Sequence, residues 1–442
     1  MVDLASAFRH LEQKKILVLG DFMCDLYTKG KANRVSPEAP VVVLHVEEQH
    51  RLAGGAGNVV FNFKSLGADV YPMGLLGNDD EGYHLKELFQ NQNIPTTGLM
   101  QSSKVKTIVK NRMIADFQQL LRVDFEIKYH IDHELEEFLI SSILEILPNF
   151  DVVAISDYQK GFLTNQLLKE VITEARKLKI PVVIDPKGND FSKYKGASII
   201  KPNSKEAYHA AGVSDSESIE KVASKLLSLG YSDSYIITRS EHGMAYFDHK
   251  VTQFFPVKVR EVVDVTGAGD TALAMIAFCL ANKVDISNMI PLANIASSIA
   301  IEKLGCAHVS LTDVAERLIE FSCQNKFLPI SQLEAFKPII RRSPYALYLL
   351  EEIESLNFDM LNSLKNSLSI HPNLKKIIYL KKAENASLVL QILASYPEIN
   401  YILVDRAFVE SILEITLPDH IEVISSDSTR VVCEKEMLSS VL

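Results

Sequence analysis

The sequence predicts an α/β protein. Its main body is a doubly wound, mostly parallel sheet with a small β lid, and a small α/β domain follows at the C-terminal end. Three observations predict this. From residue 134 onward, short apolar strands alternate with helix-length segments. Those strands end, one after another, in polar, charged or glycine-rich residues, the edge where open α/β sheets place ligands. Residues 29–50 and 104–126 instead lack a helical period and read as β excursions from the main sheet.

Taken in order, Lys15–Leu19 (KILVL) is an apolar strand that ends in Gly20-Asp21, with Asp25 close behind. Lys29 to Pro40 is polar with two prolines, and Pro40 to Val46 is β-branched and extended. Gly54, Gly55 and Gly57 then precede Asn58 at a helix entry, with no clear strand leading into it. Small residues there let a polyol approach the backbone, and Asn58 can both donate and accept hydrogen bonds. Tight helix packing accounts for the same glycines. Val70–Leu76 reads as a strand and 82–91 as a helix. Lys106–Ile114 and Gln119–Phe125 alternate like a hairpin around Ala115–Gln118, and with 41–46 they form a small separate sheet. Lys110, Arg112 and Arg122 put positive charge on it, and on pattern alone a solvated strand face explains them better.

The regular stretch follows. Helix 134–147 leads to strand Val152–Ile155, which ends in Ser156-Asp157-Tyr158. Helix 164–178 leads to strand Val182–Ile184, ending in Asp185-Pro186-Lys187-Gly188. Strand Ile199–Ile200 ends in Lys201-Pro202-Asn203, three residues before Glu206. Helices 204–211 and 217–229 lead to strand Ser234–Thr238, followed by Arg239-Ser240-Glu241-His242-Gly243.

Val262–Asn282 (VVDVTGAGDTALAMIAFCLAN) is the stretch with the most chemistry in it. It opens as a β-type run, passes through Gly267-Ala268-Gly269-Asp270 and continues as an apolar helix. A helix that starts at flexible glycines aims its free N–H groups and positive dipole end at an anion. A carboxylate at such a place is awkward unless it takes a proton, for example from a hydroxyl attacking a phosphoryl group. Asp is also a common N-cap, so the motif alone leaves both readings open.

A chain of 442 residues exceeds one ordinary core, and we divide it at 1–325 and 326–442. The net charge of −10 argues against a general nucleic-acid or membrane-surface binder. Five scattered cysteines with no CxxC pair suit a reducing compartment and give no zinc signature. With no apolar run of membrane-spanning length and no visible signal peptide, a cytoplasmic location is expected. In the tail, Lys376–Leu380, Tyr401–Val404 and Ile421–Ile424 read as strands, and 346–355, 358–368, 384–395, 406–415 and 434–441 as helices.

Assembled in order, Gly54-Gly55, Asn203-x-x-Glu206 and Asp264-Val265-Thr266-Gly267-Ala268-Gly269-Asp270 resemble the ribokinase-like (PfkB) family of sugar kinases. SPEAPV (36–41), GGAGNV (54–59), QQLLRVDFE (118–126), SDYQKG (156–161), IDPKG (184–188), KPNSKE (201–206), TRSEHGM (238–244) and DVTGAGDT (264–271) narrow it. They resemble the kinase half of the bifunctional heptose 7-phosphate kinase/ADP-heptose synthases, over roughly residues 10–320.

The resemblance implies a ribokinase-like fold. It implies ATP-dependent phosphorylation of the anomeric C1 hydroxyl of D-glycero-D-manno-heptose 7-phosphate to the 1,7-bisphosphate, on the way to the lipopolysaccharide core. It makes Asp270 the base, with the N–H groups of Gly267, Ala268 and Gly269 as anion hole. Asn203 and Glu206 would hold Mg²⁺–ATP largely through water, Glu206 being the metal-side residue. Asp264, Thr238, Ser240 and Gly243 would line the nucleotide, with Asn294 at the adenine side. Asp21, Asp25, Gly54, Gly55, Asn58 and Asp157 fall on the sugar side. A substrate that already carries a phosphate wants fixed cations, for which Lys110, Arg112, Arg122 and Lys187 are candidates.

Expected cofactors are ATP and Mg²⁺, with a monovalent cation as a further candidate. Expected partners are the sugar phosphate and a second copy of the chain in a homodimer, with no nucleic acid and no membrane. Where relatives carry LGTSTVSP, this chain has LGCAHVSL (304–311), and Glu302 replaces a small residue. The bifunctional relatives carry an HxGH motif in a nucleotidyltransferase half. This chain has none, so the 326–442 domain is expected not to make ADP-heptose. Two alternatives stand beside the leading one. One is another ribokinase-like kinase acting on a sugar phosphate or nucleoside. The other is a non-catalytic sensor of sugar phosphate or nucleotide.

Overall fold

The computed structural model describes residues 4–116, 118–257, 261–303, 305–322, 326–351, 358–381, 387–425 and 429–431. The chain forms two compact units, one of Glu12–Ser310 and one of Met1–Leu11 with Leu311–Leu442. The divide thus lies at 310/311, against the 325/326 read from the sequence, and the N-terminal residues join the second unit. A short helix α1 (Leu4–Ala7) belongs to that second unit.

The first unit begins with strands β1 (Lys15–Gly20), β2 (Phe22–Val35) and β3 (Val42–Gly55), then helix α2 (Ala56–Ser65). It continues with β4 (Asp69–Gly77), α3 (Asp80–Asn91), β5 (Leu99–Ser102), β6 (Ile108–Ala115), β7 (Gln118–Phe125) and α4 (His133–Ile146). Next come β8 (Val152–Ser156), α5 (Asn165–Lys177), β9 (Val182–Asp185), β10 (Ala197–Ile200), α6 (Ser204–Ala211) and α7 (Ile219–Leu229). The unit closes with β11 (Ser232–Thr238), β12 (Met244–Asp248), β13 (Thr252–Phe255), α8 (Ala268–Ala281) and α9 (Ile286–Ile301).

Nine strands form the main sheet in the order β13-β12-β11-β10-β9-β8-β1-β4-β5. Pairing is parallel from β11 to β5, and β12 and β13 add an antiparallel edge. Parallel strands are covered on both faces, which explains why β1 and β8 are near-continuous apolar runs with every residue after Lys15 buried. Leu17, Leu19, Val153 and Ile155 pack with α4 and α5 in one core layer. On the sheet α8 lies against β8 and β9 and against α2 and α9. The helices start where caps dictate: Thr164 accepts from Leu167 N at 3.0 Å at the head of α5, and Asp79 from Gly82 N at 3.0 Å at the head of α3.

The lid is a four-stranded sheet, β3-β2-β6-β7. The predicted hairpin is its β6–β7 pair, while β2 and β3 are each 14 residues long, well beyond the short strand read at 41–46. Register aligns Asp25 with Lys110 and Tyr27 with Arg112, so these four side chains share one face.

Four expectations need correction. Strand β3 runs directly into α2 through Gly55, although its exposed polar half (EEQHR) hides the strand from a search for apolar runs. The run at 262–265 is not a strand: Val262, Val263 and Val265 are exposed loop residues. The edge strands β12 and β13, four or five residues each, were not anticipated. In the tail the predicted helix 346–355 is a strand in its described part.

That tail unit contains α10 (Leu311–Ser322), α11 (Leu333–Arg342), β14 (Tyr345–Leu350), α12 (Phe358–Ile370) and β15 (Lys375–Leu380). It goes on through α13 (Ser387–Ala394), β16 (Tyr401–Leu403), α14 (Arg406–Ile415), β17 (His420–Ile424) and β18 (Thr429–Val431). Its sheet has the order β16-β15-β14-β17-β18, parallel except for β18. All six residues of β14 (YALYLL) are buried, and a fully buried central strand has no alternation to set it apart from a buried helix. The predicted helix 434–441 lies outside the described residues. Among those described, no helix is long and apolar enough to cross a membrane.

Candidate active site

Helix α8 begins immediately after Gly267, whose φ of 83° only glycine adopts easily. A Cβ at this position would sit 2.9 Å from Asn58 Nδ2, so glycine is also needed to let α2 approach. Thr271 N already bonds Gly267 O at 2.9 Å, whereas the N–H groups of Gly269 and Asp270 open the helix with no intrahelical acceptor. Free donors at the positive end of a helix can bind an anion.

Asp270 is buried at this helix start and held from two sides. Asn58 Nδ2 donates to its Oδ2 at 2.8 Å, and the Tyr158 hydroxyl donates to its Oδ1 at 3.1 Å. Burial pushes its carboxyl up to about 7; the Asn58 hydrogen bond opposes this and the nearby Asp185 charge adds to it. A carboxyl poised there can accept a proton near neutral pH.

The lid face supplies the other wall. Arg112 and Asp25 form an ion pair with both side chains largely buried, and the guanidinium lies 5.3 Å from the Tyr27 ring centroid. Gly54 must be glycine here, because a Cβ would stand 2.2 Å from Asp25 Oδ2. Lys110 Nζ lies 5.3 Å from the centroid of the Tyr158 ring, which carries the hydroxyl bonded to Asp270. Burial lowers the Lys110 pKa, the mark of an ammonium short of neutralising charge.

On the other side of the α8 start is a cavity of about 380 Å³. Thr238, Ser240, Gly243 and Asn294, the residues expected at the nucleotide, line it together with apolar Met244, Val257, Val262, Val265 and Ile301. A slot of this size with mostly apolar walls and few polar groups suits a flat heteroaromatic ring. Asn294 Nδ2 is itself bonded to Phe255 O at 2.9 Å.

Two further charged residues stand beside the start of α8. Buried Lys201, one residue past β10, pairs with Asp185 at 3.0 Å. A Cβ on Gly269 would lie 3.7 Å from Asp185 Oδ2 and 3.8 Å from Lys201 Nζ, so both stand beside the start of α8. Burial raises the Asp185 pKa, Lys201 opposes this, and Glu206 raises it further. Glu206 forms a capping box with Asn203 and pairs with Lys187 at 3.1 Å. Two oxygen-donor carboxylates close enough to repel fit a Mg²⁺ that keeps most of its waters and takes its other ligands from phosphate. Among the described residues no group of three or more His, Cys, Asp or Glu could hold a metal without such help.

Several predicted residues have protein partners of their own. Asp21 Oδ2 accepts from Tyr158 N and Lys160 N, both at 3.0 Å, and so pins the loop that presents Tyr158, while its buried Oδ1 has no hydrogen-bond partner among the described residues. Asp157 accepts from the Tyr194 hydroxyl at 2.7 Å and pairs with Lys193. Asp264 has both oxygens engaged, by Thr266 and by Gly305 N at 3.0 Å, and ties the loop before α8 to the 305–309 segment. Lys187 stands with Glu206, and exposed Arg122 pairs with Asp124 at 2.8 Å. Lys110 thus reaches toward Asp270 through Tyr158, and Arg112 stands on the same lid face. Lys201 and Tyr158 were missed because a strand-end position marks an edge of the sheet but not which side chains turn toward α8. Their one sequence signal is membership of KPNSKE and SDYQKG.

The geometry agrees with what the chain is similar to. The profile of the pfkB family carbohydrate kinases matches residues 13–313. Proteins named Bifunctional protein HldE are similar over most of that stretch. The one from Campylobacter curvus is 42% identical over 310 residues, 69% of this chain and 65% of that protein. One from Campylobacter jejuni is 44% identical over 312 residues, 70% of this chain and 65% of that protein. This chain therefore matches just under two thirds of the length of these relatives. Among solved structures, Arabidopsis thaliana ribokinase complexed with ribose and ATP superposes with a TM-score of 0.55 at 19% identity, covering 70% of this chain and 99% of that one. The tetrameric inhibited form of phosphofructokinase-2 from Escherichia coli gives 0.59 at 19%, covering 70% and 100%. At such identity the superpositions speak for the fold.

Proposed function

The chain belongs to the pfkB family of carbohydrate kinases, and on that premise we propose that its Glu12–Ser310 unit phosphorylates the C1 hydroxyl of D-glycero-D-manno-heptose 7-phosphate. ATP is the donor and the 1,7-bisphosphate the product, a step toward ADP-heptose and the lipopolysaccharide core. The observation that carries this reading is the placement of Asp270. It is a buried carboxyl at the N-terminus of α8, fixed by Asn58 and Tyr158, with Lys110 above Tyr158. Motif resemblance and the HldE relatives supply the choice of sugar.

Asp270 takes the proton from the attacking C1 hydroxyl. A new O–P bond forms to the γ-phosphorus, and the bond to the β-phosphate oxygen breaks, releasing ADP. The N–H groups of Gly269 and Asp270 and the Lys201 ammonium stabilise charge on the transferring oxygens without reorganising. Adenine occupies the apolar cavity. Glu206 and Asp185 would hold a Mg²⁺ largely through water, and the ion would supply positive charge toward the phosphates. Lys110, with Arg112 behind it, meets the 7-phosphate.

ADP release from Mg-ATP with a panel of sugar phosphates tests this. Turnover is expected with the heptose 7-phosphate. Turnover on fructose phosphates alone would reassign the substrate, and ATP binding without turnover on any sugar would replace the kinase with a sensor.

A homodimer formed through the lid belongs to the same proposal. Leu121 and Phe125 stand on one face of β7, opposite the face of Arg112, and are 55% and 59% exposed. An apolar strand face left open on a thin sheet favours packing against its own copy. Sedimentation should give a dimer for the parent and a monomer for Leu121→Glu/Phe125→Glu. A double variant that sediments like a dimeric parent would place the interface elsewhere.

A further inference from the structure

Asn58 meets Asp270 through an amide, and an amide can present either its NH₂ or its oxygen. Only the NH₂ supports a carboxylate. What fixes that choice lies one helical turn on, at Asn62, which is 1% exposed. The Val309 backbone N–H, which can only donate, is 3.3 Å from Asn62 Oδ1. The Thr271 hydroxyl donates to the same oxygen at 3.2 Å. Asn62 must therefore turn its NH₂ toward Asn58, where it donates to the backbone O at 2.9 Å and, at 3.4 Å, to Oδ1. With Oδ1 facing a donor, the Asn58 NH₂ is left for Asp270 Oδ2 at 2.8 Å.

We propose that Asn62 is a positioning residue for phosphoryl transfer: it reads the orientation of the 305–309 segment through Val309 and sets the Asn58 amide so that it donates to Asp270. This rests on the reading of Asp270 as the base. Asn62 reaches neither substrate nor base. It links α2, Thr271 next to the base in the first turn of α8, and the loop that follows α9. The other groups around Asp270 are Asp185 at the end of β9, Lys201 after β10, Tyr158 after β8, and Cys306.

The test uses the full chain and the pH dependence of kcat. Asn62→Ala removes the donor. Asn62→Asp keeps shape and both acceptor bonds but replaces the donor by an acceptor, so the Asn58 NH₂ turns away from Asp270. A lost hydrogen bond to a carboxylate moves the acid limb of the kcat profile to higher pH by about one unit. That shift is expected in both variants, with the ATP KM unchanged. In an Asn58→Ala background, Asn62→Ala should add no shift, because the path runs through Asn58. An unmoved limb in Asn62→Asp, or a shift of the same size without Asn58, overturns the proposal while leaving Asp270 as base. Activity retained by Asp270→Asn overturns the base itself, a separate and distinguishable failure.

Discussion

Asp270→Asn lowers kcat by roughly 10²- to 10⁴-fold and leaves ATP binding intact. Asparagine keeps the shape: its oxygen can accept from Asn58 while its NH₂ donates to the Tyr158 hydroxyl, which can also accept, so what the variant loses is the capacity to take up a proton. The parent should show kcat/KM falling as pH drops through about 7, because only the ionised carboxylate accepts a proton. The same variant should be more stable than the parent, in a pH-dependent way. A carboxyl whose folded pKa is raised contributes least stability once pH exceeds that value, because the folded state then holds a buried charge. From the ordinary 3.8 up to about 7 the folded protein binds the proton more tightly than the unfolded chain, so stability declines with rising pH across this window. The span corresponds to about 4 kcal/mol, so melting curves should separate variant and parent clearly at pH 8 and bring them together near pH 4. Full activity in the variant would remove Asp270 from the chemistry, and equal melting temperatures at pH 8 would remove the buried charge.

Arg112→Leu destabilises the kinase unit by roughly 3–5 kcal/mol, because it leaves the Asp25 carboxylate buried without its cation. Asp25 is 4% exposed, so water cannot take over. Gly54 packs against the same carboxylate, so a shift away from the lid is blocked. Asp25→Asn combined with Arg112→Leu should recover most of the loss, since no unpaired charge remains. Urea unfolding of the four proteins in the cycle measures this. A single-variant loss like that of a surface pair, about 1 kcal/mol or less, would show that the pair is solvated. The rescued double variant should still handle the sugar phosphate poorly, with a raised KM for it and an unchanged KM for ATP, because Arg112 supports the face on which Lys110 stands.

The sequence reading captured the βαβ rhythm because it is written in local periods. Strands such as VVAIS and helices capped by Thr164 or Asp79 announce themselves within a few residues. It mistook YALYLL for a helix because burial on both faces erases alternation. It lost the second half of β3 because a lid strand exposed to solvent carries polar residues on both faces.

For the site, the sequence by itself determined the residue types at each strand end, the glycines at the α8 start and the carboxyl that follows them. It could not determine which way those side chains face. Asp21, Asp157 and Asp264 have the same chemistry as Asp270 and occupy similar loop positions, yet they hold backbone or a buried tyrosine in place. Only the tertiary structure set Asp270 apart. It brought residues 58, 158 and 270 together from three elements, and the direction of each hydrogen bond depends on donors fixed elsewhere in the fold.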